Sequence, residues 1–227
     1  MNPGKSTPMD EGVAEMLRDI ELEVAITSKE IGKEALDDRV MAAMASVPRH
    51  RFIPEAERFR AFDNGPLPIG CGQTISQPFI VALMTDLLEP QPDDVMLEIG
   101  TGSGYQAAVL AKLVRHVYSV EIVGELAEAA VDRLHRLHCD NVTIVHADGY
   151  DGWPEHAPYD GIVVTSAIPE VPPPLLEQLK PGGRLVIPVG PQNRPQLLSI
   201  FEKTADGAFS RRDLLLVAFV PMTRALR

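Results

Sequence analysis

Cysteine is nearly absent: Cys71 and Cys139 are the only two, far apart and outside any CxxC pattern. A disulfide framework and a zinc site are therefore not indicated, and a reducing compartment is the default expectation. Basic charge is scarce as well. With 21 Lys and Arg against 32 Asp and Glu the formal charge is -11, whereas nucleic acid and anionic membrane surfaces both need a basic face. No apolar stretch approaches the ~18 residues of a membrane span, and no N-terminal segment joins basic residues to an apolar run as a signal peptide does. The expected protein is cytoplasmic, with neither a nucleic-acid nor a membrane partner. His135 and His138 can share a helix face, but no third ligand stands in register, so no metal is expected. Asn141-Val142-Thr143 matches a glycosylation pattern without a secretory context and reads as chance.

What the 227 residues do contain fits one α/β domain with a core on both sheet faces. The stretch from Asp93 to Leu113, DDVMLEIGTGSGYQAAVLAKL, organises the chain. Val95 to Ile99 is a short apolar run, Gly100, Gly102 and Gly104 follow at alternate positions, and helical spacing begins at Ala107. That order reads as strand, tight turn, helix. Glycines allow positive φ and let a ligand lie directly against the backbone. A second strand, HVYSVEI, then brings Glu121 to the spacing at which an acid meets a ribose hydroxyl pair. Turn and acid together indicate a ligand carrying adenosine. The turn does not fit a dinucleotide, because Gly104 falls two positions after Gly102 rather than three, and no Walker lysine is present.

In chain order, residues 1–9 read as a loose polar tail. Val13, Met16, Leu17 and Ile20 give an amphipathic helix to about residue 26. Leu36, Val40, Ala43, Met44 and Val47 give a second one that stops before Pro48, and the two form a helical cap over residues 1–47. Residues 48–84 are too rich in Pro, Gly, hydroxyls and aromatics for a simple linker, and read as a segment folded over the mouth of the site. Residues 85–227 supply the sheet core. Leu126, Ala129, Ala130, Leu134 and Leu137 stripe a helix; NVTIVHAD and YDGIVVTSA are further strands. LKPGGRLVIPVG supplies a helix stop, a glycine turn and a fifth strand, and residues 197–203 and 214–220 an antiparallel edge pair. The expected architecture is a Rossmann-like, doubly wound sheet of seven mostly parallel strands.

GTGSGY after the acid Glu98 resembles the first motif of class I S-adenosylmethionine-dependent methyltransferases. RHRFIPE and PLPIGCGQTISQP, with the later motifs, are similar to protein-L-isoaspartate O-methyltransferases over about Asp37 to Thr223; GQTISQP is the most distinctive part. The resemblance implies S-adenosyl-L-methionine as cofactor and isoaspartyl peptides and proteins as substrates, handled by a monomer. It implies that Glu98 and the turn Gly100, Thr101, Gly102, Ser103 and Gly104 lie along the methionine portion, that Glu121 holds the ribose, and that Asp148 and Gly149 meet the adenine. It further implies Ser76 as the active-site serine, Gln73, Thr74 and Ile75 as cofactor contacts beside it, and closure over substrate and cofactor by the Val220 backbone and Thr223. The order of the last two strands should differ from that of other class I members. The residues alone leave alternatives open. Ser76 suits the N-cap of a helix starting near Pro78, and Asp148 suits a turn acid. A methyltransferase for a modified peptide or small metabolite would keep the cofactor residues and change residues 48–84. A non-catalytic binding protein on the same fold would not need the intact turn with Glu121 and Asp148.

Overall fold

The computed structural model describes residues 7–191 and 194–224. Residues 1–6 of the expected tail lie outside that range, but positions 7–9 begin a helix. Thr7 accepts the Asp10 N–H while Asp10 takes the Thr7 N–H, and Pro8 fixes the first turn, so α1 (Pro8–Ile31) starts earlier than the apolar stripe indicates. Gly32, at φ +70°, ends it. α2 (Asp38–Ser46) follows, capped by Asp37, then two 3-10 turns, Arg49–Phe52 and Glu55–Arg60. A hairpin of β1 (Leu67–Gly70) and β2 (Gln73–Ile75) leads to α3 (Pro78–Leu87). Met16, Ile20 and Val24 of α1 bury against the same apolar cluster as α2, α3 and α4 (Tyr105–Leu110). Asp86 fastens this layer: its buried carboxylate pairs with Lys33 and accepts the Asp37 N–H at 2.7 Å.

The sheet holds β3 (Val95–Ile99), β4 (His116–Glu121), β5 (Val142–His146), β6 (Tyr159–Val164), β7 (Leu179–Val189), β8 (Gln196–Lys203) and β9 (Phe209–Val217). α5 (Gly124–Arg136) joins β4 to β5, and α6 (Pro173–Glu177) precedes β7. Spatial order is β5-β4-β3-β6-β7-β8-β9, parallel from β5 to β7 and antiparallel at the last two pairings. The last strands thus run in plain chain order. Connections leave β3 toward β4 on one side and reach β6 on the other, so the crevice of a doubly wound sheet opens at the C-terminal ends of β3 and β6.

Alternation along β3 sends Leu97 and Ile99 into the cluster beneath α6 and Met96 into the opposite one. Glu98 shares the side of Met96, fully buried. Three local expectations shift. Pro181-Gly182-Gly183 forms no separate turn: it is an irregularity inside β7, where pairing passes from Tyr159–Leu179 to Gly161–Arg184. The final strand is Phe209–Val217 rather than 214–220. In α5, Ala127 is buried where Ala129 was expected, beside Leu126, Ala130 and Leu134. Asn141 has a structural use, its amide donating to the carbonyls of Ala111 (2.9 Å) and Val114 (3.2 Å). Among the described residues no helix is long and apolar enough to cross a membrane, and no three His, Cys, Asp or Glu are grouped to hold a metal.

Candidate active site

The glycine turn between β3 and α4 takes the backbone through φ +93° at Gly100, +52° at Gly102 and +85° at Gly104. Gly100 is fixed twice over, since a Cβ there would also run into Thr165 Oγ1, which donates to the Gly100 carbonyl at 2.5 Å. The turn's floor is a buried relay: Ser119 hydrogen-bonds Glu98 Oε2, and Thr101 Oγ1 lies 2.5 Å from Ser119 Oγ. Glu98 Oε1 has no partner among the described residues. Burial pushes this carboxyl up to about 8, while the Ser119 hydroxyl pulls it down and Glu121 pushes it up.

Glu121, at the end of β4, accepts the Gly102 N–H at 2.7 Å and the Val123 N–H at 2.9 Å, one on each oxygen. A carboxylate has about four lone-pair sites. Two remain for a ligand diol, and Glu121 lines the cleft in front of the turn. That cleft measures about 760 Å³, counting space open to solvent. Its walls come from Gln73 to Ser76, Gly100 to Ser103, Glu121 to Val123, Gly149, Thr165 with Ser166, and Val220 to Thr223. The C-terminal wall is stitched to the end of β6, where Ala167 donates to Val220 O and Met222 donates to Ala167 O, both at 2.8 Å. Gly149 is wedged between Ile99 and Met222, leaving no room for a side chain.

Twelve of the fifteen expected site residues therefore share one cleft, and three do not reach its wall. Glu98 lies beneath the turn, because strand alternation turns it under α4. Gly104 is the αL residue that starts α4, against Leu134 and Ala130 of α5. Asp148 caps the 3-10 turn after β5 by accepting the Tyr150 N–H at 3.0 Å, the turn-acid alternative. The capping alternative for Ser76 fails: α3 starts after Gln77, and Asn64 Oδ1 takes the Phe79 N–H instead. Ser76 Oγ has no partner among the described residues, whereas its carbonyl is held by Arg49 at 2.7 Å.

Arg49 was not legible as part of this site. It is fully buried, with Nε on Ala61 O at 3.0 Å and its guanidinium 4.8 Å from the Tyr105 ring centre, so it ties residues 49–61 to the Ser76 backbone. Thr165 was also missed. It sits at the outgoing end of the strand beside the glycine strand, the position where a doubly wound sheet exposes small polar groups to ligands.

A second groove, about 1230 Å³ with open space counted, runs between α1 and β9 and has an apolar wall of Phe79, Ile80, Leu215 and Phe219. It meets the first at four residues common to both: Thr74, Ser76, Thr165 and Val220. The first cleft has one acidic lining side chain, Glu121, and no Lys or Arg. Phosphate would find no cation there. A ligand with a diol, an amino-acid end and net positive charge fits this donor set, since Glu121 can take the diol and the turn supplies backbone N–H groups for a carboxylate. S-Adenosylmethionine has that constitution. Glu121→Ala should cost ~1.5–3 kcal/mol of S-adenosylhomocysteine binding by calorimetry, the range for a hydrogen bond to a charged group. Unchanged affinity would remove Glu121 from the ligand's contacts.

Comparison with known proteins places this geometry. A family model for protein-L-isoaspartate(D-aspartate) O-methyltransferase (PCMT) matches residues 23–227. Protein-L-isoaspartate O-methyltransferase 2 of Syntrophobacter fumaroxidans is 60% identical over 210 residues, covering 92% of this chain and 85% of the relative. A solved protein-L-isoaspartate O-methyltransferase superposes with TM-score 0.78 at 30% identity, over 90% of this chain and 65% of that one. A beta-aspartate methyltransferase (PCMT) from Plasmodium falciparum, solved in complex with S-adenosyl-L-homocysteine, has TM-score 0.76 over 97% of this chain and 100% of the other. At 24% identity, that last likeness is one of fold. The chain belongs to the protein-L-isoaspartate(D-aspartate) O-methyltransferase family.

Proposed function

We propose that the chain transfers a methyl group from S-adenosyl-L-methionine to the α-carboxylate of isoaspartyl residues in peptides and proteins, at the junction marked by Ser76 and Val220. It does so as a monomeric, single-domain cytoplasmic enzyme in which residues 7–47 form the helical cap and 48–84 the segment over the site. The observation that carries this reading is the meeting of two grooves. One has the donor set for the cofactor, the other is a groove with one apolar wall and polar groups opposite, fit for a peptide, and they share Thr74, Ser76, Thr165 and Val220.

The cofactor, when bound, supplies a methyl carbon already activated by its sulfonium. An α-carboxylate with a pKa near ~3.5 is ionised at neutral pH, so no general base is needed. The chain's work is alignment. The Ser76 hydroxyl donates to one carboxylate oxygen, and the Val220 N–H, which has no acceptor among the described residues, serves as a second donor. Arg49 holds the Ser76 carbonyl and so sets the position of that hydroxyl. Aligning oxygen, carbon and sulfur in a dry junction contributes up to ~7–11 kcal/mol through proximity. The methyl ester so formed loses methanol to the neighbouring backbone nitrogen, and the resulting succinimide opens partly to normal aspartate without help from the protein.

The test is labelled methyl transfer to an isoaspartyl peptide by the native chain and by Ser76→Ala. Native protein forms a base-labile methyl ester. In the variant turnover falls ~10²-fold, the cost of one orienting donor, while S-adenosylhomocysteine affinity changes less. Equal turnover per folded molecule would leave Ser76 out of the chemistry. A protein that binds the cofactor and methylates no isoaspartyl peptide would belong with enzymes acting on a modified peptide or small metabolite.

A further inference from the structure

Behind the glycine turn lies a third hollow that methyl transfer does not use. It measures about 990 Å³ with open space counted, and it lies between α5 and the segment from Arg51 to Arg58. Ser103 is common to its wall and to the cofactor cleft. Four arginines line it, Arg51, Arg58, Arg133 and Arg136, and the one acid on its wall is Glu55. None of the four is ion-paired to a carboxylate among the described residues. Elsewhere Arg39 and Arg211 each hold one carboxylate, and Arg60 and Arg184 each hold two.

This contrast is hard to assign to chance placement in a chain of net charge -11. Acids outnumber bases, yet four like charges are gathered around one concavity with a single carboxylate beside them. Like charges at close range repel, and the cost falls when an anion enters. Crowding is felt inside the hollow: burial first, then the charge of Arg136, hold the Arg133 guanidinium below its ordinary range. Two of the four are pre-oriented by backbone. Arg133 Nη1 donates to Ser103 O at 2.6 Å and Arg136 Nε to Asp132 O at 3.1 Å. A guanidinium has five N–H donors in a rigid fork, so most of their donors remain for a ligand, in the geometry that suits phosphate oxygens. The remaining wall is apolar, with Phe52, Ile69, Leu126 and Leu137.

We infer that this hollow is a second ligand site, which binds a small polyphosphate anion through the four arginines. The shared chemistry is a chain of phosphates, borne by inorganic polyphosphate or by a nucleoside triphosphate whose organic part lies on the apolar wall. Arg133 also holds the carbonyl of Ser103 in the cofactor turn, so occupancy of the hollow is mechanically joined to the cleft.

Calorimetry on the full chain saturated with S-adenosylhomocysteine tests this, because the nucleoside of ATP is then kept out of the cofactor cleft. Inorganic tripolyphosphate and ATP are titrated separately at low salt into native protein, Arg58→Gln and Arg136→Gln. Neither residue lies in the methyl-transfer machinery, and each variant's S-adenosylhomocysteine affinity reports that its fold is intact. The expected result is saturable one-to-one binding that weakens at least 10-fold in each variant and falls with added salt. ATP binding more tightly than tripolyphosphate identifies the nucleotide as the source, and equal binding identifies the phosphate chain alone. Absence of saturable binding by either anion, or binding unchanged in both variants, overturns the inference.

Discussion

Given two peptides identical except at one residue, the protein methylates the isoaspartyl form and leaves the aspartyl form at least ~10²-fold behind in initial rate. In isoaspartate the chain continues through the side-chain carboxyl, so the free carboxylate sits on the α-carbon, one bond nearer the backbone nitrogen. The two forms cannot present carboxylate and chain in the same relation. Ser76 lies at the junction of the cofactor cleft and the α1–β9 groove, and its backbone is held rigidly by Arg49. If the chain occupies the groove, an aspartyl carboxylate arrives displaced by about one bond length, and a ~1 Å misplacement alone can cost ~10²-fold. Donors left unpaired at the junction add to the discrimination. Comparable rates on the pair would mean a general carboxyl methyltransferase, in which the groove does not fix the chain.

The second large effect concerns Glu98. Its carboxyl is raised to about 8 against an ordinary glutamate value of 4.5. Between those two pH values the folded protein keeps a proton that the unfolded chain has released. Stability contributed by the protonated form is therefore complete below the unfolded value and is lost as pH rises toward the folded one. Glu98→Gln removes the titration. Relative to the native protein the variant should gain stability with rising pH by up to about 1.4 kcal/mol per pH unit, with the gain levelling off above about 8. Urea denaturation of both proteins at several pH values reads this difference, whatever the amide itself costs. A difference independent of pH would mean that Glu98 is ionised in the folded state. The consequence reaches the site, for a protonated Glu98 adds no charge beneath the cofactor turn.

The glycine turn, its strand and Glu121 were legible because their signals are local: an apolar run, alternate glycines and an acid at fixed spacing. Ser76 was legible only through the wording of GQTISQP, since by spacing alone a serine before proline reads as a helix cap. Three-dimensional neighbours decide that case, with Asn64 supplying the cap from outside the helix. Arg49 escaped notice because RHRF has no periodicity, and nothing local says which of its basic residues is buried on carbonyls. Pro181-Gly182-Gly183 reads as a turn, but pairing with β6 on either side draws it into β7. Thr7 and Asp10 form a capping box that could have been seen, and the polar composition around them hid it. Glu98 and Asp148 are placed by local geometry that the motif itself does not state. Each stands next to the cleft in sequence, and strand alternation or a 3-10 turn takes its side chain off the wall.

The most direct test of the account is a crystal structure of the protein with S-adenosylhomocysteine and an isoaspartyl peptide bound together. It should show the cofactor diol on Glu121, the peptide along the groove between α1 and β9, and the isoaspartyl α-carboxylate ~2.7–3.2 Å from Ser76 Oγ and from the Val220 nitrogen, facing the cofactor sulfur. A carboxylate seated away from Thr74, Ser76, Thr165 and Val220 would contradict it.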